Sequence, residues 1–316
     1  MLERTEQEIR VKSFRPDDIP DMTGKRVIVT GANSGLGLQT SLALAAKGAA
    51  VTLACRNMDR GTRALEHVRE ATDSTVCDAR ELDLASLDSV RSFAAGWDGP
   101  LDVLVNNAGV MATPLTRTKD GFEQQLGINH LGHFALGGLL LENLRQAVSA
   151  RVVAVSSLAH KRGSIDFSDL NSESRYRRWG AYGQSKIANL YYTVEFSKRL
   201  QARGEDITAV AAHPGLASTS LFANTGGRRP AGDVMAGFVR LLGQSDSAGA
   251  LPILYAATAP EVHGGDFYGP DGVGERRGNV ALVAPVQQVL DEETGRRLWE
   301  RSEELTGVRY PDLAAI

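Results

Sequence analysis

Short runs of β-branched and apolar residues recur along this chain at 26–30, 50–54, 101–105, 151–155 and 207–211. Between them lie longer segments with apolar residues three and four apart, at 36–47, 60–71, 87–95, 129–147 and 182–203. A strand that is apolar at nearly every position has no face to give to water, so these runs belong in a parallel sheet covered on both sides. Strand and helix alternate through most of the length, and this predicts an α/β fold: a single doubly wound parallel sheet with helices on both faces. No Pro/Gly/Ser-rich linker divides the 316 residues, so one domain is expected over 22–316, preceded by a charged surface arm over 1–21. Two stretches break the rhythm. The polar 161–179 reads as a long excursion above the sheet. The second, 216–243, contains Gly226, Gly227 and Pro230 and an apolar pattern from Val234 to Leu242, and reads as a flap. The tail over 280–316, with Val289, Leu290, Leu298 and Leu305 after Pro285-Val286, is expected to pack on the main domain as an extension.

Composition removes several classes of protein. With 35 Lys+Arg against 38 Asp+Glu, net −3, the chain offers no field for a phosphate backbone, so no nucleic-acid partner is expected. The apolar stretches 136–141 and 152–155 fall far short of the roughly 20 residues that span a bilayer. The first residues, with Glu3, Arg4, Glu6, Glu8 and Arg10, contain no apolar signal core. Two cysteines, Cys55 and Cys77, are too few for a disulfide framework; they read as small packing groups and suggest a reducing, cytoplasmic compartment. His130 and His133 are three apart, but without a third convergent ligand no metal is expected. Ser157, His160 and Asp169 lack a nucleophile elbow, so a hydrolase triad is not supported.

The first strand runs directly into Thr30-Gly31-Ala32-Asn33-Ser34-Gly35-Leu36-Gly37, followed by a helical pattern. That context gives the glycines meaning. Gly31 permits a tight turn, Gly35 lets backbone approach a pyrophosphate, and Gly37 allows close helix–sheet packing, while Asn33 or Ser34 can cap a helix whose N–H groups face phosphate. The sheet is therefore expected to be a dinucleotide-binding, Rossmann one. The second strand ends in Ala54-Cys55-Arg56, with no acid to bind a ribose 2′-hydroxyl, and Asp59 is too far along to serve. An arginine there suits a 2′-phosphate, so NADP(H) is favoured over NAD; the bland alternative is a solvated surface arginine. Tyr182 and Lys186 lie four apart on one helix face, where a cation favours phenolate.

The glycine spacing at 30–37 resembles that of the short-chain dehydrogenase/reductase family, and the family's other signatures follow in order. These are Asn106-Asn107-Ala108-Gly109, Asn129, Ser156-Ser157, Tyr182-Gly-Gln-Ser-Lys186 and Pro214-Gly215. The resemblance covers about residues 22 to 270. Within the family, segments such as Ile128-Asn129-His130-Leu131-Gly132-His133-Phe134 are similar to the retinol-dehydrogenase-like, WW-domain-oxidoreductase-like and protochlorophyllide-reductase-like branch. The resemblance implies hydride transfer between a nicotinamide and a carbonyl or alcohol. Tyr182 would be the general acid/base, Lys186 its electrostatic partner and a ribose ligand, Ser157 the substrate-orienting hydroxyl, and Asn129 the holder of a water linking the lysine to solvent. It places cofactor contacts at Gly31, Asn33, Ser34, Gly35, Leu36, Gly37, Arg56, Asp83 (to adenine), Leu84, Asn107, Ala108, Gly109, Tyr182, Lys186, Pro214 and Gly215. At Pro214-Gly215 backbone closes over the carboxamide. The 161–179 segment lengthens the family's serine-to-tyrosine spacing and is expected to alter the pocket rim. An apolar flap hints at a lipophilic substrate. The helices of Asn129 and Tyr182 form dimer faces in many relatives, so a homo-oligomer is open, unless the 161–179 segment and the tail cover them. The alternative function is a nucleotide-binding regulatory or scaffold protein without turnover.

Overall fold

The computed structural model describes residues 13–216 and 244–313; the expected flap with its apolar helix, except Leu216, lies outside them, as do the first residues of the arm. Eight strands form one sheet in the order β3-β2-β1-β4-β5-β6-β7-β8. They are β1 (Arg26–Thr30), β2 (Ala50–Cys55), β3 (Asp78–Glu81), β4 (Val103–Asn106), β5 (Ala150–Val155), β6 (Ile207–Ala212), β7 (Phe267–Pro270) and β8 (Val280–Leu282). All neighbours run parallel except β7 and β8. Period-two alternation sends Val27 and Val29 into one core with Leu44 and Val51, and Ile28 into the opposite core with Leu104 and Phe134. Each face is covered. Helices α1 (Gly35–Ala45) and α2 (Met58–Thr72) supply one layer, and α3 (Leu87–Ala95) begins the other.

Strand order reverses between β1 and β4, and ligands of doubly wound sheets bind in the crevice beyond the carboxyl ends at such a switch point. Thr30, Asn106, Val155 and Ala212 end the four central strands, so the residues after them ring one crevice.

Several elements differ from expectation. The segment expected as one helix over 129–147 starts earlier and is broken into α4 (Gln124–Leu126), a π-helical turn at Gly127–Leu131, α5 (Gly132–Leu139) and α6 (Leu141–Arg145). The expected 182–203 helix also starts earlier, as α7 (Arg178–Ala202). Strand β3, Asp-Ala-Arg-Glu, escapes an apolar-run criterion because it is the edge strand beside β2 and only partly buried. Helix α8 (Asp246–Thr258) precedes β7, and α9 (Glu292–Thr306) follows a 3-10 turn at Gln287–Leu290. The described part of the arm is anchored: Phe14 and Ile19 are buried, and Phe14 meets Tyr255 edge to face.

The tail packs on the face of α5 and α7. Trp299 stacks on Tyr192 and stands edge-on to Phe134, and the Tyr310 hydroxyl, 3.0 Å from that of Tyr192, donates to the Phe134 carbonyl at 2.7 Å. The tail thus covers the apolar face of α5 and α7. Near β6, the Gln244 N–H donates to the Leu216 carbonyl at 2.8 Å and its side chain to the Pro214 carbonyl at 2.6 Å. Among the described residues, no helix is long and apolar enough to cross a membrane.

Candidate active site

The glycine turn after β1 is built as its residues require. Gly31 and Gly35 both adopt left-handed φ, +65° and +56°. A Cβ on Gly37 would lie 2.6 Å from the Gly31 carbonyl oxygen and from Asn107 Nδ2, so helix and turn touch backbone to backbone. Ser34 is the N-cap of α1 by position, but neither it nor Asn33 caps the helix: no side chain satisfies the N-cap bond. The expectation of a side-chain cap is not met: Ser34 is extended, as N-caps usually are, but exposed and without the cap bond that Asn57 and Ser86 make at their helices. The first N–H groups of α1, including those of Leu36 and Gly37, are left with the dipole to face an anion.

Cys55 is more than packing. Burial pushes its thiol up to about 11, with the Ala32 and Asn33 backbone N–H groups opposing, so the end of β2 lies against the glycine turn. Arg56 follows, exposed and without an ion pair among the described residues. After β3, one oxygen of Asp83 accepts the Ala85 N–H at 3.0 Å, and the Asp83 N–H donates to Ser89 Oγ. Leu84 is buried against Gly132, where a Cβ would meet the Leu84 carbonyl at 2.7 Å.

Beyond β4 the two asparagines divide the work. Asn107 donates to the Thr30 carbonyl at 2.7 Å, tying β4 to β1, whereas both side-chain polar atoms of buried Asn106 have no partner. A buried amide without partners costs of order 1–3 kcal/mol, so a polar group reaching Asn106 at the switch point would be stabilising. Thr30 Oγ1 accepts the N–H groups of Asn107 and Ala108, both at 2.9 Å. With both lone pairs engaged, the hydroxyl donates its proton to the nearer acceptor, His133 Nε2 at 2.9 Å rather than the Val105 carbonyl at 3.3 Å. His133 then carries its hydrogen on Nδ1 and donates to the Asn129 carbonyl at 3.1 Å. Burial pushes His133 down to about 3 and His130, bonded to Ser302, to about 4, so both are neutral core groups.

The π-helical turn pushes Asn129 toward the crevice. Its Oδ1 accepts the Val110 N–H at 2.8 Å, and its Nδ2 donates to the Val110 carbonyl and to Ser185 Oγ, each at 2.9 Å. A Cβ on Gly109 would come within 3.1 Å of Asn129 Oδ1 and 3.5 Å of Lys186 Nζ, so a larger residue here would crowd the asparagine.

Tyr182 and Lys186 face inward from α7, both buried. Lys186 Nζ donates to the Val155 carbonyl at 3.0 Å and sits 5.8 Å from the Tyr182 ring centre. Ser157 and Ser156, after β5, are distinguished by what they touch. Ser156 donates to the Lys186 carbonyl at 2.8 Å, while the Ser157 hydroxyl accepts the Ala159 N–H and lies near enough to the Tyr182 phenol to favour its ionised form. Lys186 together with a positive nicotinamide ring was expected to favour the phenolate; within the chain itself, burial pushes Tyr182 up, with the Ser157 hydroxyl opposing, and pushes Lys186 down to about 8. The ammonium is engaged by the Val155 carbonyl and stands 5.8 Å from the ring centre, and burial of the phenol outweighs it.

The lysine shift has a measurable consequence. In the folded protein Lys186 loses its proton near pH 8, whereas the unfolded chain keeps it to about 10.5. Below pH 8 both states hold the proton; between these values the unfolded state binds more, so stability rises with pH. Nucleotide-free protein should therefore gain stability relative to Lys186→Met from pH 8 to 10, measured by urea melts; an unchanged difference would show that the ammonium is well solvated.

The 161–179 segment forms the rim. Its Asp169 carboxylate accepts the N–H groups of Glu173, Ser174 and Arg175, and Tyr176 donates to the Thr113 carbonyl at 2.8 Å. Gln125 Nε2 donates to the Tyr176 hydroxyl and the Arg178 carbonyl, a tie with no sequence signal of its own. His160 bonds the Ser157 carbonyl, not its hydroxyl, which excludes the triad geometrically. Among the described residues no three His, Cys, Asp or Glu side chains converge as metal ligands.

A glycine-turned helix start at the switch point, facing a buried tyrosine–serine–lysine group across one crevice, defines the class: an oxidoreductase using a nicotinamide cofactor. The family model described as short chain dehydrogenase matches residues 25–229. Human retinol dehydrogenase 13 is 43% identical over 296 residues, spanning 92% of this chain and 87% of that protein. Mouse polyprenol dehydrogenase is 39% identical over 306 residues, spanning 93% and 87%. A crystal structure of an uncharacterised protein from Mycobacterium paratuberculosis is 41% identical, with a TM-score of 0.78, covering 95% of this chain and 100% of that one. The chain belongs to the short-chain dehydrogenase/reductase family, in its retinol-dehydrogenase-like branch, and is an oxidoreductase acting on CH–OH and C=O groups.

Proposed function

We propose that this chain is an NADP(H)-dependent cytoplasmic enzyme that interconverts a lipophilic alcohol and its carbonyl, with Tyr182 exchanging the proton. The observation that carries this reading is buried Tyr182 beside the Ser157 hydroxyl, with buried Lys186 one helical turn on, opposite an uncapped glycine-rich helix start. The bound nicotinamide supplies or accepts the hydride. Tyr182 gives its hydroxyl proton to the carbonyl oxygen in reduction and takes it back in oxidation; Ser157 holds that oxygen beside the phenol. Lys186 serves the nicotinamide ribose, and Asn129 with Gly109 fixes the lysine's surroundings. Gly31, Asn33, Ser34, Gly35, Leu36 and Gly37 take the pyrophosphate, Asp83 and Leu84 the adenine, Asn107, Ala108 and Gly109 the adjoining ribose, and Pro214-Gly215 the carboxamide.

The substrate's lipophilic character is supported by the wall around the phenol, where Met111, Ala112 and Ala159 pack against Tyr182 and exposed Trp179 stands edge-on to it at 6.1 Å. Both named relatives are named for isoprenoid alcohols. NADPH absorbance over a panel of long-chain and short-chain aldehydes and ketones tests it; equal kcat/KM for short hydrophilic substrates would remove the lipophilic part. The cytoplasmic part rests on Cys55 and Cys77, both buried free thiols.

NADP(H) is proposed because exposed Arg56 stands where an acid would bind the ribose. Wild-type protein should bind NADPH more tightly than NADH by calorimetry, and Arg56→Asp should reverse the order through a change of about 1–3 kcal/mol. Preference for NADH in the wild type would leave Arg56 a solvated surface residue.

A further inference from the structure

Outside the tyrosine–serine–lysine group, one charged cluster joins three separate segments beside the site. Lys161, on the 3-10 turn Leu158–Arg162 that Ser157 caps, donates to Glu275 Oε1 at 2.6 Å. The other oxygen, Oε2, accepts from His213 Nε2 at 3.0 Å. His213 is fully buried, and its Nδ1 accepts the Gly215 N–H at 3.2 Å. With Nδ1 an acceptor, the imidazole is neutral and its hydrogen is on Nε2, pointing at Glu275. One carboxylate therefore spans from the serine turn to the backbone just after β6.

The loop that carries Glu275 is held against its own preference. Gly274 and Glu275 are consecutive left-handed residues, φ +65° and +56°; the first costs nothing, but the second is a sparsely populated conformation for a glutamate. Such a residue persists where its surroundings over-determine it. Here the Glu275 N–H donates to the Gly272 carbonyl at 2.7 Å, and the next residue's carbonyl, that of Arg276, accepts the Leu216 N–H at 2.8 Å. That same carbonyl would lie 2.5 Å from a Cβ on Gly215, itself left-handed at φ +65°. The loop presses directly on Gly215. It also lies beyond the stretch that the family model matches, so family motifs do not account for it.

We propose that Glu275 is a positioning residue: by binding Lys161 and His213 with its two oxygens, it sets the separation of Ser157 from the Pro214–Gly215 backbone and so aligns substrate oxygen with nicotinamide. This rests on the roles proposed above for Ser157 and Gly215. The carboxylate suits the task because it accepts two strong donors at once, one of them an ammonium, and Lys161 and His213 hold Glu275 at about 2, ionised throughout the physiological range although partial burial opposes it. A glutamine in its place offers one oxygen and turns an N–H group toward one of the two donors.

Three measurements test this, all made well below the melting temperature. Glu275→Gln should weaken NADPH binding about tenfold by fluorescence titration and lower kcat about 10–100-fold, with substrate KM changed much less, since misplacement of reacting groups by an ångström costs on this order. Lys161→Met, a change at a partly exposed side chain, should show a smaller loss in the same direction. The double variant should be no worse than Glu275→Gln alone, because Lys161 acts only through the carboxylate. A lower melting temperature with unchanged NADPH affinity and kcat would make Glu275 a structural clip only and overturn the proposal; additive losses would overturn the shared-carboxylate route. Amide exchange at Gly215 and Leu216 reads the same lock without turnover: Glu275→Gln should speed it in the nucleotide-free protein, and unchanged exchange would overturn the proposal even if wild-type protein turned over every substrate offered. A wild-type protein that neither bound nucleotide nor reduced the panel would fail the functional reading, while this exchange result would still decide whether the lock exists.

Discussion

Tyr182→Phe is expected to lower turnover by about two to four orders of magnitude, the usual share of a positioned acid–base group, while NADPH affinity changes little. The substitution removes one oxygen and leaves the ring, which packs with Met111, Ala112 and Trp179, so the fold and the wall of the pocket should persist. The lost oxygen is the one whose ionisation the Ser157 hydroxyl favours. Because burial raises the phenol and Lys186 is tied to the Val155 carbonyl, the resting nucleotide-free site is a protonated tyrosine, ready to donate in reduction. Stopped-flow NADPH oxidation alongside nucleotide titration separates the two effects. Retention of a tenth or more of wild-type turnover would assign the proton to another donor; loss of nucleotide binding would mean that the hydroxyl helps to hold the cofactor.

Gly37→Ala should be nearly as damaging by a different route. Its Cβ would arrive 2.6 Å from the Gly31 carbonyl oxygen, a backbone atom that cannot swing aside, and 2.6 Å from Asn107 Nδ2, which is committed to Thr30. The first turn of α1 must shift, and the N–H groups aimed at the phosphates shift with it. Overpacking of this kind costs about 1–3 kcal/mol of stability. NADPH affinity should fall about 10- to 100-fold, with a lower melting temperature. Unchanged nucleotide affinity would show that the turn does not carry the pyrophosphate.

The sheet was legible because strands covered on both faces must be apolar throughout, and β1, β2, β5 and β6 lie close to where their runs of valine, isoleucine and alanine place them. Strand β3 was not, since an edge strand tolerates Asp78, Arg80 and Glu81. The break of the Asn129 helix into a π-helical turn has no periodic signature; it shows only in where the Asn129 amide lands, on the Val110 backbone. Gly31, Gly37 and Gly109 could be read from spacing because each marks a place where backbone meets backbone or side chain too closely for a Cβ. The jobs of Asn106 and Asn107, the sulfur of Cys55 beneath the glycine turn and the Thr30–His133 link depend on distances between strands, which no local pattern encodes. Glu275 was out of reach for the same reason, with its partners His213 just after β6 and Lys161 after β5.

The hydrogen bond from Gln244 to the Leu216 carbonyl has a further implication. Leu216 lies four residues past the end of β6 and Gln244 two residues before α8, so two bonds from one glutamine bring together points 28 positions apart in sequence, beside Pro214. The entropy of closing a chain between two such points grows slowly, by about 0.6 kcal/mol for each doubling of length. The way out of the sheet and the way into α8 are thus held at one point, and a change in the number of residues between them costs little there.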